Sequence, residues 1–195
     1  MADRQAEFLQ IFDSVIHRDG ASNLRDYLIR SDFFRAPASI RYHCAFAGGL
    51  CEHSINVYKR LLENVQREYG ENWEKAVPHE TVAICGLLHD LCKIDFYKQD
   101  FRNVKENGEW VRKPCFVRKE VLPYGHGEKS VYIISGFMRL TREEAMAINW
   151  HMGGFDTRVK GGDFSISEAY CKFPLAVLVH VSDLEATYLD EKRGV

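Results

Sequence analysis

Apolar residues recur with the period of an α-helix along most of the chain and predict a series of packed helices. The first predicted helix covers Phe8–Ile16, whose apolar residues share one face. After a break at Pro37, apolar residues spaced three or four apart predict a long helix from near Leu50 to Gly70, a residue that commonly ends helices. His53 lies on the apolar stripe of this helix, so its imidazole is predicted to point inward.

The most apolar predicted helix contains a histidine and an aspartate. It opens at Pro78 and is apolar on every side from Val82 to Leu91, as is typical of a helix at the centre of a bundle. The stretch CGLLHDLCK places His89 and Asp90 inside this run. Both polar side chains are therefore predicted to be buried.

The middle of the chain loses the helical period. Between about residues 97 and 123, partly alternating sequence flanks Asn107-Gly108, a strong short-range signal for a β-hairpin. This segment is basic, with Trp110 and Phe116 interleaved among the charges, which suits a phosphorylated ligand bearing a base. The alternative is a hairpin whose tryptophan packs on the bundle and whose charges keep its edges soluble.

Helical periodicity resumes after the hairpin and continues to the C-terminal region. Thr141 and Glu144 form a candidate capping box, and Pro174 can open a final helix that runs to about residue 190. Within that helix His180 and Asp183 share the face of the apolar residues. Asp183 is thus a second inward carboxylate, and His180 is predicted to hydrogen bond to it or to pack in the core.

Composition restricts the class of protein only broadly. The chain of 195 residues has 46% hydrophobic residues and a net charge of -2, which predicts one globular domain over residues 1–195 and neither requires nor excludes nucleic-acid binding. It contains no run of about 18 apolar residues and no signal-peptide pattern, so a cytoplasmic protein without membrane association is expected. The six cysteines form no C-x-x-C motif, which favours free thiols and a reducing compartment; Cys51 and Cys92 are assigned to packing.

Two buried carboxylates require something that compensates their charge. Burial of an unpaired carboxylate costs several kcal/mol, and a bound cation removes much of that cost at Asp90 and Asp183. Imidazoles of His53 and His89 would complete a nitrogen and oxygen ligand set that suits zinc, iron, nickel, cobalt or manganese better than calcium. The alternative is a buried His–Asp hydrogen-bonded pair without a metal.

Five stretches of the chain resemble the HD-domain superfamily of metal-dependent phosphohydrolases. They are GGLCEHS, LLHDLCK, GHGEKS, NWHMGG and LVHVSDLEATYLD, in the order and approximate spacing of that superfamily. The resemblance covers residues 41 to 190 approximately and implies an all-α helical bundle, with the hairpin as an insertion. It also implies four ligands of one divalent ion: His53, His89, Asp90 and Asp183.

The resemblance further implies that His126 and His151 bind a second ion, with Asp90 bridging the two. Trp150 precedes His151 where binuclear cyclic-dinucleotide phosphodiesterases carry paired histidines, and their Gly-Tyr-Pro signature is missing, so one ion and two ions both stay open. A transition metal is expected, with magnesium as a further candidate. Such an ion lowers the pKa of a bound water toward about 7 and polarises a phosphoryl oxygen.

The implied function is hydrolysis of a nucleotide or related small phosphoester. Asp90 would orient the attacking water. Lys93 would pair with the phosphate or with the neighbourhood of Asp90, and Lys129 has the same candidate role, although both could instead be ordinary helix-surface lysines. The hairpin leaves and rejoins the bundle beside the predicted site, where it could act as a lid. Alternatives are a 3′-5′ exonuclease-like phosphodiesterase on single-stranded nucleic acid, a non-catalytic nucleotide sensor, or a helical module with one closed structural metal site. The sequence leaves the oligomeric state open.

Overall fold

The chain folds mostly into helices, with one two-stranded antiparallel sheet. The computed structural model describes residues 2–191. The helices are α1 (Ala2–Val15), α2 (Ala21–Arg30), α3 (Gly49–Tyr69), α4 (Trp73–Ala76), α5 (His79–Leu88), α6 (His126–Ser135), α7 (Arg142–Asn149), α8 (Thr157–Lys160), α9 (Ser165–Lys172) and α10 (Pro174–Glu185). The strands are β1 (Tyr97–Glu106) and β2 (Glu109–Arg118). No helix within residues 2–191 is both long and apolar enough to span a membrane.

Helix α5 lies at the centre of the bundle, as its sequence predicts. Every residue from Thr81 to Leu88 is buried, and α3, α1 and α7 pack around it. Gly86 allows α3 to come very close, because a Cβ atom there would lie 2.5 Å from the Cα of Tyr58. Pro78 is the residue before the first turn of α5, where its missing amide is tolerated.

The prediction that His89 and Asp90 lie inside this helix is wrong. Helix α5 ends at Leu88, and a 3₁₀ turn over Leu91–Lys93 follows. The apolar run continues through that turn because Leu91 and its neighbours are also buried, so hydrophobic periodicity could not mark the helix end. As a result, His89 and Asp90 project from a helix end into the space between other helices.

A buried ion pair ties the loop after α1 to the bundle. The guanidinium of Arg18 donates two hydrogen bonds, of 2.7 and 2.9 Å, to the Glu144 carboxylate on α7, and a longer one of 3.2 Å to Glu80 on α5. Glu144 also accepts from the hydroxyl of Thr81 and from the backbone amide of Thr141, which confirms the predicted capping box. Glu144 thus joins three parts of the fold.

The predicted hairpin is present and ends earlier than expected. The strands pair in register from Tyr97↔Arg118 to Glu106↔Glu109, so the paired region stops at residue 118 instead of about 123. Asn107 and Gly108 form the turn with φ of 50° and 90°. Positive φ at both central residues is the requirement of a type I′ turn, which Asn-Gly satisfies.

Candidate metal centre

The six predicted ligands converge on one buried place from five segments of the fold. His53 lies on α3, His89 and Asp90 follow α5, and the remaining three come from the start of α6, the turn after α7 and the last turn of α10. They are His126, His151 and Asp183. Four of the six, His53, His89, Asp90 and His151, are almost completely buried.

One group of polar atoms surrounds the Nε2 atom of His53. This atom lies 3.2 Å from Nε2 of His89, 3.4 Å from Oδ2 of Asp90 and 3.3 Å from Oδ1 of Asp183. Ligands at 2.0–2.1 Å from a tetrahedral zinc ion lie roughly 3.3 Å from one another. His53, His89 and Asp90 could therefore hold a metal ion, with Asp183 next to His53.

The second ring nitrogens of three histidines face away from this place. Nδ1 of His53 lies 2.9 Å from the Glu191 carboxylate, and Nδ1 of His89 and of His151 lies 2.9 and 2.6 Å from the backbone carbonyl three residues earlier. Since a carbonyl only accepts, Nδ1 of His89 and His151 carries the proton. In the neutral rings the Nε2 lone pair then points inward, which is the tautomer that metal-binding histidines use.

Three buried polar atoms near the centre lack a hydrogen-bond partner among residues 2–191. They are Nε2 of His43, Nε2 of His151 and Oε2 of Glu191. An unpartnered polar atom in the interior costs about 1–3 kcal/mol, so native proteins rarely keep one without a reason. The inward lone pair of His151 fits a group that binds an additional ligand such as a cation.

A second group of atoms lies on the other oxygen of Asp90. Its Oδ1 lies 2.7 Å from Nε2 of His126 and 3.6 Å from Nε2 of His151, and Sγ of Cys92 lies 3.4 Å from the same His126 nitrogen. Asp90, Cys92 and His126 form another set that could hold an ion. The two carboxylate oxygens of Asp90 therefore face two different groups of ligand atoms.

The ammonium of Lys93 also compensates the charge of Asp90. Its Nζ lies 2.5 Å from Oδ2 of Asp90, and both residues are buried. Burial alone would raise the pKa of Asp90, but the positive charge of Lys93, with His89 and His126, holds it well below its usual range. Burial likewise opposes the charged form of Lys93, yet the Asp90 charge raises the pKa of Lys93 above its ordinary value. The buried carboxylate alone hence does not require a metal. A bound metal ion is indicated instead by the imidazoles that converge on Asp90.

Three residues near the centre were not predicted as part of it. Cys92 had been assigned to packing, Glu191 binds the outer nitrogen of His53, and the ring centroid of His43 lies 4.7 Å from that of His53. Burial, together with the charge of His53, lowers the pKa of His43 to about 4. Glu191 and His43 are 148 positions apart in the sequence. No local pattern places both at the centre, so only tertiary contacts could identify them as part of it.

Two other predicted residues make different contacts. The ammonium of Lys129 binds the carboxylate of Glu120 at 2.8 Å and lies 5.2 Å from the centroid of the Phe96 ring. Nδ1 of His180 lies 2.7 Å from the backbone carbonyl of His151, so this ring supports the turn that carries His151 instead of bonding to Asp183. Gly153, with φ of 54°, leaves the space that the His180 ring occupies.

Comparisons with family models, with curated proteins and with solved structures find no significant match for this chain. The resemblance of its five stretches to HD-domain phosphohydrolases therefore stays a hypothesis about ancestry. Independently of that resemblance, the buried histidine, aspartate and cysteine side chains are arranged so that they could hold a metal ion.

Proposed function

We propose that this chain is an HD-type metal-dependent phosphohydrolase that acts on a nucleotide or a related phosphoester. The observation that carries the proposal is the position of Asp90, which presents one oxygen to His53 and His89 and the other to His126 and His151. A carboxylate between two sets of inward imidazoles is an arrangement that suits a bridging metal ligand. The motif resemblance supports the same assignment.

The ligand atoms favour a transition metal. One position would use His53, His89 and Asp90, with Asp183 beside His53, and a second would use Asp90, Cys92 and His126. His151 groups with His89 and Asp183 and lies near Asp90. Imidazole and sulfur ligands suit zinc, iron, cobalt or nickel, and the carboxylates also suit manganese, whereas magnesium prefers oxygen ligands and bound water. When bound, such an ion supplies Lewis-acid chemistry, lowering the pKa of water and withdrawing charge from a phosphoryl oxygen.

The protein's own residues orient this chemistry and admit the substrate. Glu191 accepts from Nδ1 of His53 and so keeps the opposite ring nitrogen directed at the centre. His126 is the more exposed of the proposed ligands, with 30% of its side chain accessible, so the approach of a substrate lies on its side of the centre. Lys93 adds a fixed positive charge beside Asp90, which favours an anionic ester over a neutral one.

Elemental analysis with a phosphoester screen tests this function directly. Protein purified without added metal is expected to retain a transition metal and to hydrolyse at least one nucleotide or phosphodiester, with chelator abolishing turnover and manganese, cobalt or zinc restoring it. Metal-free protein that is inert toward every phosphoester after each metal is added would contradict the proposal. Tight nucleotide binding without turnover would instead identify a sensor.

Replacement of His126 by alanine tests the number of ions. Because His126 contacts only the Oδ1 side of Asp90, His126→Ala should remove one metal equivalent and leave the other, while turnover falls roughly 100-fold or more. Metal content per chain and kcat are the measurements.

His17→Ala is the matched control, since His17 hydrogen bonds near the end of α1 and has no contact with the centre. This variant should keep wild-type metal content and activity. Loss of all metal from His126→Ala, or no loss, would rule out two separately filled positions.

A further inference from the structure

The hairpin has two chemically different faces. Side chains alternate between faces along a strand, and paired residues of antiparallel strands lie on the same face. The register therefore places the odd-numbered residues of β1 with the even-numbered residues of β2 on one face, here named the aromatic face. The remaining strand residues form the opposite face, named the mixed-charge face.

The aromatic face combines rings with positive charge and has no carboxylate. It carries all four aromatic residues of the two strands: Tyr97, Phe101, Trp110 and Phe116. Its charged residues are all cations: Lys105, Arg112 and Arg118. The mixed-charge face carries every carboxylate of the strands, Asp100, Glu106 and Glu109, balanced by three cations. Charge placed only for solubility would not separate in this way.

The outer rings of the aromatic face are open to solvent. Trp110 is 72% exposed and Phe101 is 56% exposed, so these rings do not pack on the bundle. The guanidinium of Arg112 lies 4.6 Å from the centroid of the Phe101 ring, which places cation and ring side by side. On the other face, Lys113 is instead paired with Glu106. The cations of the aromatic face thus keep their charge available for a partner.

We propose that the aromatic face binds single-stranded nucleic acid. Unpaired bases can stack on Phe101 and Trp110, whereas the bases of a duplex are already stacked on each other. Phosphates of the same strand can pair with Lys105, Arg112 and Arg118. Rings interleaved with cations and free of carboxylates are the combination that strand-binding surfaces use, and an acidic protein would leave the rings without a stacking partner.

The aromatic face also points the bound strand toward the metal centre. Its inner end is Tyr97, which is half-buried and four positions after Lys93, and its outer end is the turn at Asn107. Ten residues of strand span about 30 Å. A bound strand would therefore run from the turn to the centre, and this delivery step, unlike the binding itself, rests on the proposed phosphohydrolase function.

Fluorescence anisotropy with labelled oligonucleotides tests the binding. The full chain, without added metal, is titrated with single-stranded DNA and RNA of several lengths and with a duplex of the same sequence, and gels verify that the strands stay intact. Single strands are expected to bind at least tenfold more tightly than duplex. Phe101→Ala and Trp110→Ala should each weaken binding by roughly 5- to 100-fold.

Charge-matched variants of the two faces provide the control. Lys105→Gln with Arg112→Gln removes two cations from the aromatic face, and Lys98→Gln with Arg102→Gln removes two from the mixed-charge face. The first pair should weaken binding at least tenfold and flatten the salt dependence by about 0.7 per cation removed, while the second should change affinity less than about twofold.

Several outcomes would overturn the proposal. They are equal losses for the two charge-matched pairs, a preference for duplex, or absence of single-strand binding in a protein with native circular dichroism. Binding without hydrolysis, in contrast, would support this surface and contradict only the proposed function. Since every variant lies in exposed strand positions, small-phosphoester turnover should stay within about twofold of wild type.

Discussion

Asp90→Ala is expected to abolish phosphoester hydrolysis, with kcat reduced at least about 1,000-fold, and to remove most of the bound metal. Loss of a residue that only supports a metal ligand reduces metal affinity or activity about 10- to 100-fold. A larger loss is expected for Asp90, because its carboxylate itself contacts both groups of candidate ligand atoms. Metal content and kcat on the substrate found in the screen are the measurements. Substantial residual turnover would show that the chemistry lies elsewhere.

The same substitution should also destabilise the fold, because it leaves the Lys93 ammonium buried without its carboxylate. Removing one partner of a buried ion pair costs about 3–5 kcal/mol. The double variant Asp90→Ala with Lys93→Met removes both charges and should recover most of that loss in urea unfolding, yet stay inactive and metal-poor. Recovery of activity together with stability would mean that Asp90 acts only through folding.

Arg18→Met is expected to reduce the free energy of unfolding by about 3–5 kcal/mol, although Arg18 makes no contact with the candidate metal ligands. The Glu144 carboxylate is completely buried, and only 19% of the Arg18 side chain is exposed. Loss of the guanidinium leaves a buried carboxylate whose other contacts are the Thr81 hydroxyl and the Thr141 amide. Urea unfolding measures the effect.

Arg25→Met is the matched control, because Arg25 pairs with Asp13 at the surface and such pairs contribute about 0–1 kcal/mol.

The pH dependence of stability gives a further check on the Arg18–Glu144 pair. Burial by itself raises the pKa of Glu144, but the hydrogen bonds from Arg18, Thr141 and Thr81 lower it below its usual value. Its stabilising charge is therefore present above about pH 4.3 and is lost as the pH falls through the lowered pKa. The difference between wild type and Arg18→Met should shrink below that pH; a constant difference would exclude the ion pair as its cause.

Local patterns predicted much of the helical framework correctly. The end of α3 before Gly70, the start of α10 at Pro174 and the capping box at Thr141 all depend on residues within one helical turn. The Asn107-Gly108 turn was also predicted correctly, since these two residue types readily adopt the positive φ angles that it needs. The end of α5 could not be predicted, because the residues beyond it are as buried as those within it.

The sequence by itself determined the types of candidate ligand residue, their order and the helices that carry three of the six, because helical periodicity places side chains on defined faces. Only the tertiary structure decided which atoms meet. It brought Glu191 to the outer nitrogen of His53, set Cys92 beside His126, paired Lys93 with Asp90 and drew Lys129 and His180 to other partners. These contacts depend on how separate helices pack, and no spacing along one segment contains that information.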